Sequence, residues 1–535
     1  ALRQKFNAVV SKEDLYETYL PAFEALVRAG ARTVMATYNR VNGEHCCAHS
    51  EMIGEFLRDK LGFDGVILSD GGALSSLHRK PAEPAQASDA PSGDGVRFAD
   101  GHNLTEDLVE TAGLCLREQC DLELGRHAYH LAGEAIKRGL ISEYEVDRAV
   151  RRILRLRFEL GEYDSIEYNP YAQIPLSVIQ SEEHVELARQ AAQKSIVLLE
   201  NRDAALPLQA ERDHTVLVTG PTSTDLQILL GNFYRGSSGR LVSLLEGITA
   251  EAPEGVVINS SQACFLNHPN AYDSDWFLGH ADTSTTVIAC VGFSPLMEGE
   301  QGECIGAPDG GDKSSIALPD NQLDFLRKLR TRIDENGGTT RLIVVVTGGG
   351  PLELTEVAEM ADALLFAWYP GQEGGTAIAQ TLWGKCDPSG KLPVTFPKKL
   401  EDLPPYADYS MDGRSYRFME ARHIHYPFGY GLSYTKFTIG NVSVDTREGA
   451  HFAEVEVTNA GDRDGETVLQ IYAQTKRNAQ PSLKLVGFQR IHLRAGHSEK
   501  PTLTLHNLPS PCDGFIAREG STGLEAETQS VACKL

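Results

Sequence analysis

The chain is 535 residues long, too long for a single hydrophobic core, so roughly three domains are expected. Its 41% hydrophobic content is that of a globular protein, and no apolar run reaches the ~18–20 residues of a membrane span. A net charge of −24, with no basic cluster longer than RRILRLR (151–157), argues against nucleic acid and anionic membranes as partners.

In chain order, residues 11–29 read as a helix that opens on Ser11 and Asp14 and ends at Gly30. ARTVMATY (31–38) reads as a buried strand, followed by the polar turn NRVNG and a helix over roughly 50–61. In GFDGVILSDGGAL (62–74) the apolar run Val66, Ile67, Leu68 is a short buried strand ending in Ser69 and Asp70. A carboxylate at the C-terminal end of such a strand lies on the face where α/β barrels place their chemistry. Gly71 and Gly72 leave room beside it. Taken alone, an Asp here is more often the cap of the next helix. Residues 80–101, rich in Pro, Ala, Ser, Asp and Gly, read as a surface insertion, with a lid as the alternative. A helix near 103–117 and a third strand, CDLEL (120–124), follow. Two more helices come next. The second starts at a capping box (Ser142, Glu145) and carries Val146, Val150, Ile153, Leu154 and Phe158 on one face. The order α-β-α-β-α-β-α-α calls for parallel strands. Three are too few for a closed barrel, so residues 1–165 read as the C-terminal part of a (β/α)8-type barrel begun on another stretch of polypeptide.

A linker is expected over 166–190, and residues 162–185 read as passing over the surface. A second α/β unit, 191–400, then offers five strands: KSIVLLEN (194–201), TVLVTGP (215–221), TTVIACVGF (285–293), RLIVVVTGG (341–349) and DALLFAWYPG (362–371). TGGG (347–350) lacks both GxxxxGK[ST] and GxGxxG and reads as a strand-to-helix turn. After a connecting segment, 401–436, the pattern at 437–535 changes to short alternating strands of an antiparallel sandwich. The last ~25 residues show no clear period.

The ten cysteines include no CxxC pair and no zinc spacing, so most should be buried free thiols; export would allow one or two disulfides. There is no GxSxG, no nucleotide motif, and no HxxxH in an acidic helical context, so each of the sixteen histidines reads as a surface or hydrogen-bonded structural residue. Carboxylate chemistry remains. MEGEQGECIGAPDGGDK (297–313) is Gly-rich, follows an apolar strand and carries Glu298, Glu300 and Glu303. Such a loop is either simply solvated or a means for a second domain to reach over a barrel mouth. Glycoside hydrolysis needs a pair of carboxylates of this kind.

GARTVMATYNRVNG (30–43), LGFDGVILSDGGA (61–73), CDLELG (120–125), DRAVRRILRLRFELGEYD (147–164), KSIVLLEN…LPL (194–208), WYPGQEGGTAIAQTLWGKCDPSGKLPVTFP (368–397) and YPFGYGLSYTKF (426–437) resemble the successive motifs of glycoside hydrolase family 3. They occur in the family's order over nearly the whole chain. The resemblance is to the branch of β-glucosidases and β-xylosidases with a barrel, an α/β sandwich and a fibronectin type III-like domain. It implies a retaining exo-β-glycosidase in which Asp70, closing the VxSD motif, is the nucleophile. Met35 and Tyr38 match positions lining the sugar subsite, and Arg3 matches, by offset, a residue contacting substrate hydroxyls. The acid/base is expected upstream of a Gly-Asp-Arg element, matched by GGDK (310–313) with Lys313 in place of Arg. Glu300 is the first choice, Glu298 the second and Glu303 the third. A retaining mechanism sets the two carboxyls roughly 5–5.5 Å apart. No metal or cofactor is implied.

The family's Lys-His motif, and the earlier Asp and Arg that hold the sugar, have no counterpart in the chain. The rival expectation is therefore a truncated or split member that is inactive alone or only binds carbohydrate. The implied partners are an oligosaccharide or an aryl or alkyl glycoside, and beyond these the remaining barrel segment or a second copy of the chain. EGE in the acidic loop and LEGITAEA (245–252) lean towards xylosides over glucosides. ALRQKFNAVV opens in mid-element, so a missing signal peptide says little; a secreted or periplasmic location is favoured.

Overall fold

The computed structural model describes residues 5–78, 101–231, 239–269, 275–298, 313–477, 480–521 and 531–532. It divides into two compact units, Ala1–Leu176 with Pro405–Met411, and Ser177–Pro404 with Asp412–Leu535.

In the first unit two parallel strands, β1 (Thr33–Ala36) and β2 (Val66–Ser69), pair from Thr33–Val66 to Ala36–Ser69. The expected third strand is reduced to one parallel bridge, Leu68–Leu122. Its neighbours are drawn into other work. Asp121 accepts from Arg58, Arg152 and the Ile67 N–H, and Glu123 accepts the N–H groups of His127, Ala128 and Tyr129. The single helix expected over 11–29 is broken at Pro21, which cannot donate into the preceding turn. Helical turns at Lys12–Asp14 and Leu15–Tyr19 precede a helix over Pro21–Arg28, and Ser11 accepts the Asp14 N–H at 3.0 Å as a cap. The helix expected from 103 starts at Leu108, where Asp107 caps the Glu110 N–H. The segment Pro405–Met411 joins this unit through Tyr409, whose ring lies 5.0 Å from that of Phe6 and whose carbonyl accepts from the Tyr19 hydroxyl. Residues 79–100, the insertion with its lid alternative, lie outside the described residues.

The second unit begins earlier than the linker reading predicts, because Ser181 caps a helix over Glu182–Ser195. Its six-stranded sheet contains β3 (Val197–Asn201), β4 (Thr215–Thr219), β5 (Val257–Ser261), β6 (Thr286–Gly292), β7 (Arg341–Thr347) and β8 (Ala363–Trp368), in the order β3-β8-β7-β6-β4-β5. All neighbours are parallel except β3 against β8. The alternation of side chains feeds two cores, one on each face. Val287, Ala289, Val291, Leu342, Val344 and Val346 enter one; Ile288, Cys290, Ile343 and Val345 enter the other. Burying each such Val or Leu contributes about 1.5–3 kcal/mol. Strand β5 is an addition to the sequence reading. VINSS is an edge strand with exposed residues and lacks the apolar run that marks a buried one.

The C-terminal region is an antiparallel sandwich around one core, with long strands β9 (Gly465–Arg477) and β10 (Gln480–Leu493) paired along their length. The tail expected to be irregular contributes a further strand, Gly514–Arg518, against β9; Phe515 and Ile516 are buried there. The GKLPVTF and PFGYGLSYT motifs form the joint between this sandwich and the six-stranded sheet. Leu392 exchanges backbone hydrogen bonds with Tyr430 and Gly429, Leu432 bonds to Leu198, and Gly431 to Gly520. A side chain on Gly431 would collide with the Gly390 carbonyl. The buried Lys391 ammonium donates to the Gly431 carbonyl at 2.5 Å, with Glu519 at 4.0 Å. Eight cysteines are among the described residues; all are free and six are buried. No described helix is long and apolar enough to cross a membrane.

Candidate active site

Asp70 is the first residue beyond β2, held by its N–H on the Ala36 carbonyl at 2.7 Å. Its Oδ1 accepts the Gly71 N–H at 2.6 Å. Among the described residues Oδ2 has no hydrogen-bond partner. The helix-cap reading fails here: the short helix Ala73–Ser76 has no side-chain cap, and the Asp70 carbonyl, not its carboxylate, accepts the Ala73 N–H. The carboxylate is half-buried.

The turn that carries it is braced from both sides. Ser69 Oγ accepts the Leu124 N–H at 3.0 Å, and the Gly72 N–H reaches the Leu124 carbonyl. On the other side the Tyr38 hydroxyl donates to the Gly71 carbonyl at 2.8 Å. The Tyr38 carbonyl accepts from His102 Nε2 at 2.8 Å. His45 lies behind, its ring 5.1 Å from that of His102. The Cys47 N–H donates to His45 Nδ1, which leaves Nε2–H to donate to Ser76 Oγ at 2.8 Å. Burial, then the neighbouring His102, pushes the His45 pKa down to about 3; burial also lowers that of His102. Both imidazoles are thus neutral, hydrogen-bonded struts. Nothing in their sequence spacing singles them out from the other histidines.

Met35 is half-exposed, pairs with Leu68 and lines an apolar cavity of about 300 Å³ with Val10, Leu20, Phe56, Ile67 and Tyr409. Arg3, Glu300 and Glu303 lie outside the described residues. In the second unit, Glu298 follows a turn in which the buried Ser294 carbonyl accepts the N–H groups of Met297 and Glu298. Its Oε2 accepts the Gly349 N–H at 2.8 Å and the Tyr369 hydroxyl, and Lys313 donates to Oε1. Among the described residues no group of three His, Cys, Asp or Glu side chains could hold a metal ion.

Two family models match the chain: "Glycosyl hydrolase family 3 N terminal domain" over residues 5–156 and "Glycosyl hydrolase family 3 C-terminal domain" over 196–434. A xylan 1,4-beta-xylosidase of Xylanibacter ruminicola is 28% identical over 93% of this chain and 71% of its own length. A periplasmic beta-glucosidase of Salmonella typhimurium is 30% identical over 92% of this chain. The chain spans 65% of that relative, just under two thirds. A beta-glucosidase from Listeria innocua, solved in complex with isofagomine, superposes with a TM-score of 0.78 at 25% identity, over 98% of this chain and 72% of that one.

Proposed function

Because this chain belongs to glycosyl hydrolase family 3, a family of glycoside hydrolases of class 3.2.1.–, we propose that it is a retaining exo-β-glycosidase acting on terminal β-xylosides or β-glucosides. The observation that carries the reading is the Asp70 carboxylate at a parallel strand end: one oxygen is fixed by the Gly71 N–H and the other accepts no hydrogen bond among the described residues. In this reading Oδ2 attacks the anomeric carbon as the glycosidic oxygen leaves, taking a proton from Glu300. A covalent ester to Asp70 results. Glu300, now a carboxylate, removes a proton from water; the water oxygen bonds to the anomeric carbon and the Asp70 carboxylate departs. The Tyr38–Gly71 hydrogen bond holds the turn so that Oδ2 keeps its aim through both displacements. No metal or cofactor takes part. Residues 1–165 are then the C-terminal part of a (β/α)8-type barrel and 437–535 a fibronectin type III-like domain. The relatives supply both sugar classes, and EGE in the acidic loop favours xylosides.

A 2-deoxy-2-fluoro-β-xyloside with an activated leaving group tests this directly. The full chain should gain the mass of one fluorosugar on the peptide containing Asp70, and Asp70→Asn should gain none. Hydrolysis of nitrophenyl β-xyloside should fall on the order of 10⁴-fold or more in Asp70→Asn. An adduct on any other peptide sinks the assignment.

A further inference from the structure

Glu298 and Lys313 flank residues 299–312, the stretch that contains Glu300 and Glu303. Their side chains meet: Lys313 Nζ donates to Glu298 Oε1, while the Gly349 N–H and the Tyr369 hydroxyl occupy Oε2. The Lys313 ammonium also lies 4.4 Å from the centre of the Phe293 ring. Phe293, Gly349 and Tyr369 stand just beyond the C-terminal ends of β6, β7 and β8, three adjacent strands of one sheet. A Cβ on residue 349 would sit 3.0 Å from Glu298 Oε2 and 3.1 Å from the Tyr369 ring, so the glycine fits closely against both. The Glu298 side chain is 11% exposed and that of Lys313 25%. At that depth their attraction is screened less than at the surface, and separating them would strand two desolvated charges.

We propose that Glu298 is a positioning residue. With Lys313, Tyr369 and Gly349 it forms a clasp that ties residue 298 to residue 313 at the ends of β6, β7 and β8 and so sets the distance between the two anchors of the intervening chain. The proposal rests on the reading that the acid/base lies within that stretch. It assigns Glu298 no proton transfer: both of its oxygens already serve as acceptors for protein donors, Lys313 on Oε1 and Gly349 with Tyr369 on Oε2. It also gives a use to TGGG, which matches no phosphate-binding motif, and to Lys313 where the family's pattern has Arg. A compact ammonium sits on the Phe293 face as a point charge and still reaches Oε1.

The test compares the full chain with Glu298→Gln, Lys313→Met, the double variant and Lys313→Arg. Each is digested briefly with a glutamyl endopeptidase. Cleavage after Glu300 or Glu303 is scored against cleavage after Glu335, so that general unfolding cancels. Each single loss should speed cutting in the stretch about tenfold, and the double variant should be cut no more than about twofold faster than either, because one contact is lost in all three. Lys313→Arg should return the rate towards that of the parent chain. Parent-like cutting of Lys313→Met, or single effects that multiply in the double variant, overturns the clasp. On nitrophenyl β-xyloside, Glu298→Gln should lower kcat without rescue by azide. Rescue accompanied by glycosyl azide would make Glu298 the acid/base and also overturn the proposal. Glu300→Gln is assayed in parallel: full activity there removes the parent reading and leaves the proteolysis result to stand or fall alone.

Discussion

The two sheets that hold parallel strands differ in what covers them. In the second unit all seven residues of β6 are buried, and the strand has neighbours on both edges and cores on both faces. In the first unit β1 pairs on one edge only among the described residues, and Thr33 and Met35 are exposed. TVMA and TVIACVG read alike as apolar strands. Their burial is set by what lies across the sheet, which no local pattern records. The comparison also separates two kinds of carboxylate. Among the described residues Asp70, at the first sheet, has one oxygen without a hydrogen-bond partner, whereas both oxygens of Glu298, at the second, accept hydrogen bonds.

The sharpest way to break the comparison is through the buried ion pairs beneath β2. Asp121 is fully buried between Arg58 and Arg152 at 2.7 and 2.8 Å, so Asp121→Ala leaves two guanidinium groups without their counter-charge. A loss of about 3–5 kcal/mol is expected. Hydrogen exchange should show it in Val66–Ser69 and not in Thr286–Gly292; equal loss in both stretches would refute the localisation.

Truncating matched strand residues comes next. Leu342→Ala, in the closed sheet, should cost about 2–5 kcal/mol in a denaturant titration. Met35→Ala, half-exposed in the open one, should cost under about 1 kcal/mol. Similar costs would mean that Met35 is covered in solution.

A third effect is the pH dependence that His45 contributes beside the first sheet; burial also lowers the pKa of His425, in the second unit, to about 4. His45 takes up a proton in the unfolded chain near 6.5, but in the fold only near 3. The unfolded state therefore binds more protons between these values. The stabilising contribution is complete above about pH 6.5 and is lost as pH falls towards 3, by at most a few kcal/mol. His45→Asn should flatten that limb of the stability curve around β1 and β2. An unchanged limb would place the acid sensitivity elsewhere.

Much was legible in the chain. Five of the six strands in the second sheet announce themselves as apolar runs between turn residues, and Asp70 is visible as a carboxylate ending such a run. The motifs that identify the family, GKLPVTF and PFGYGLSYT, turn out to weld the sheet to the sandwich through backbone bonds and the buried Lys391. Their specificity is that of a close-packed joint and not of chemistry. The edge strand VINSS, the break at Pro21 and the terminal strand GFIAR were misjudged or missed because partial exposure, a local breaker or brevity blurs periodicity.

The sequence by itself determined the family, the parallel and antiparallel halves and the nucleophile candidate, because hydrophobic period and motif order are local properties written in neighbouring residues. Only tertiary structure decided that Tyr38 spends its hydroxyl on the Gly71 carbonyl, that two neutral histidines stand behind it, and that Glu298 is closed off by Lys313, Tyr369 and Gly349. Those partners are far apart in the chain. Hydrogen-bond saturation depends on distance and direction in space, for which sequence spacing has no counterpart.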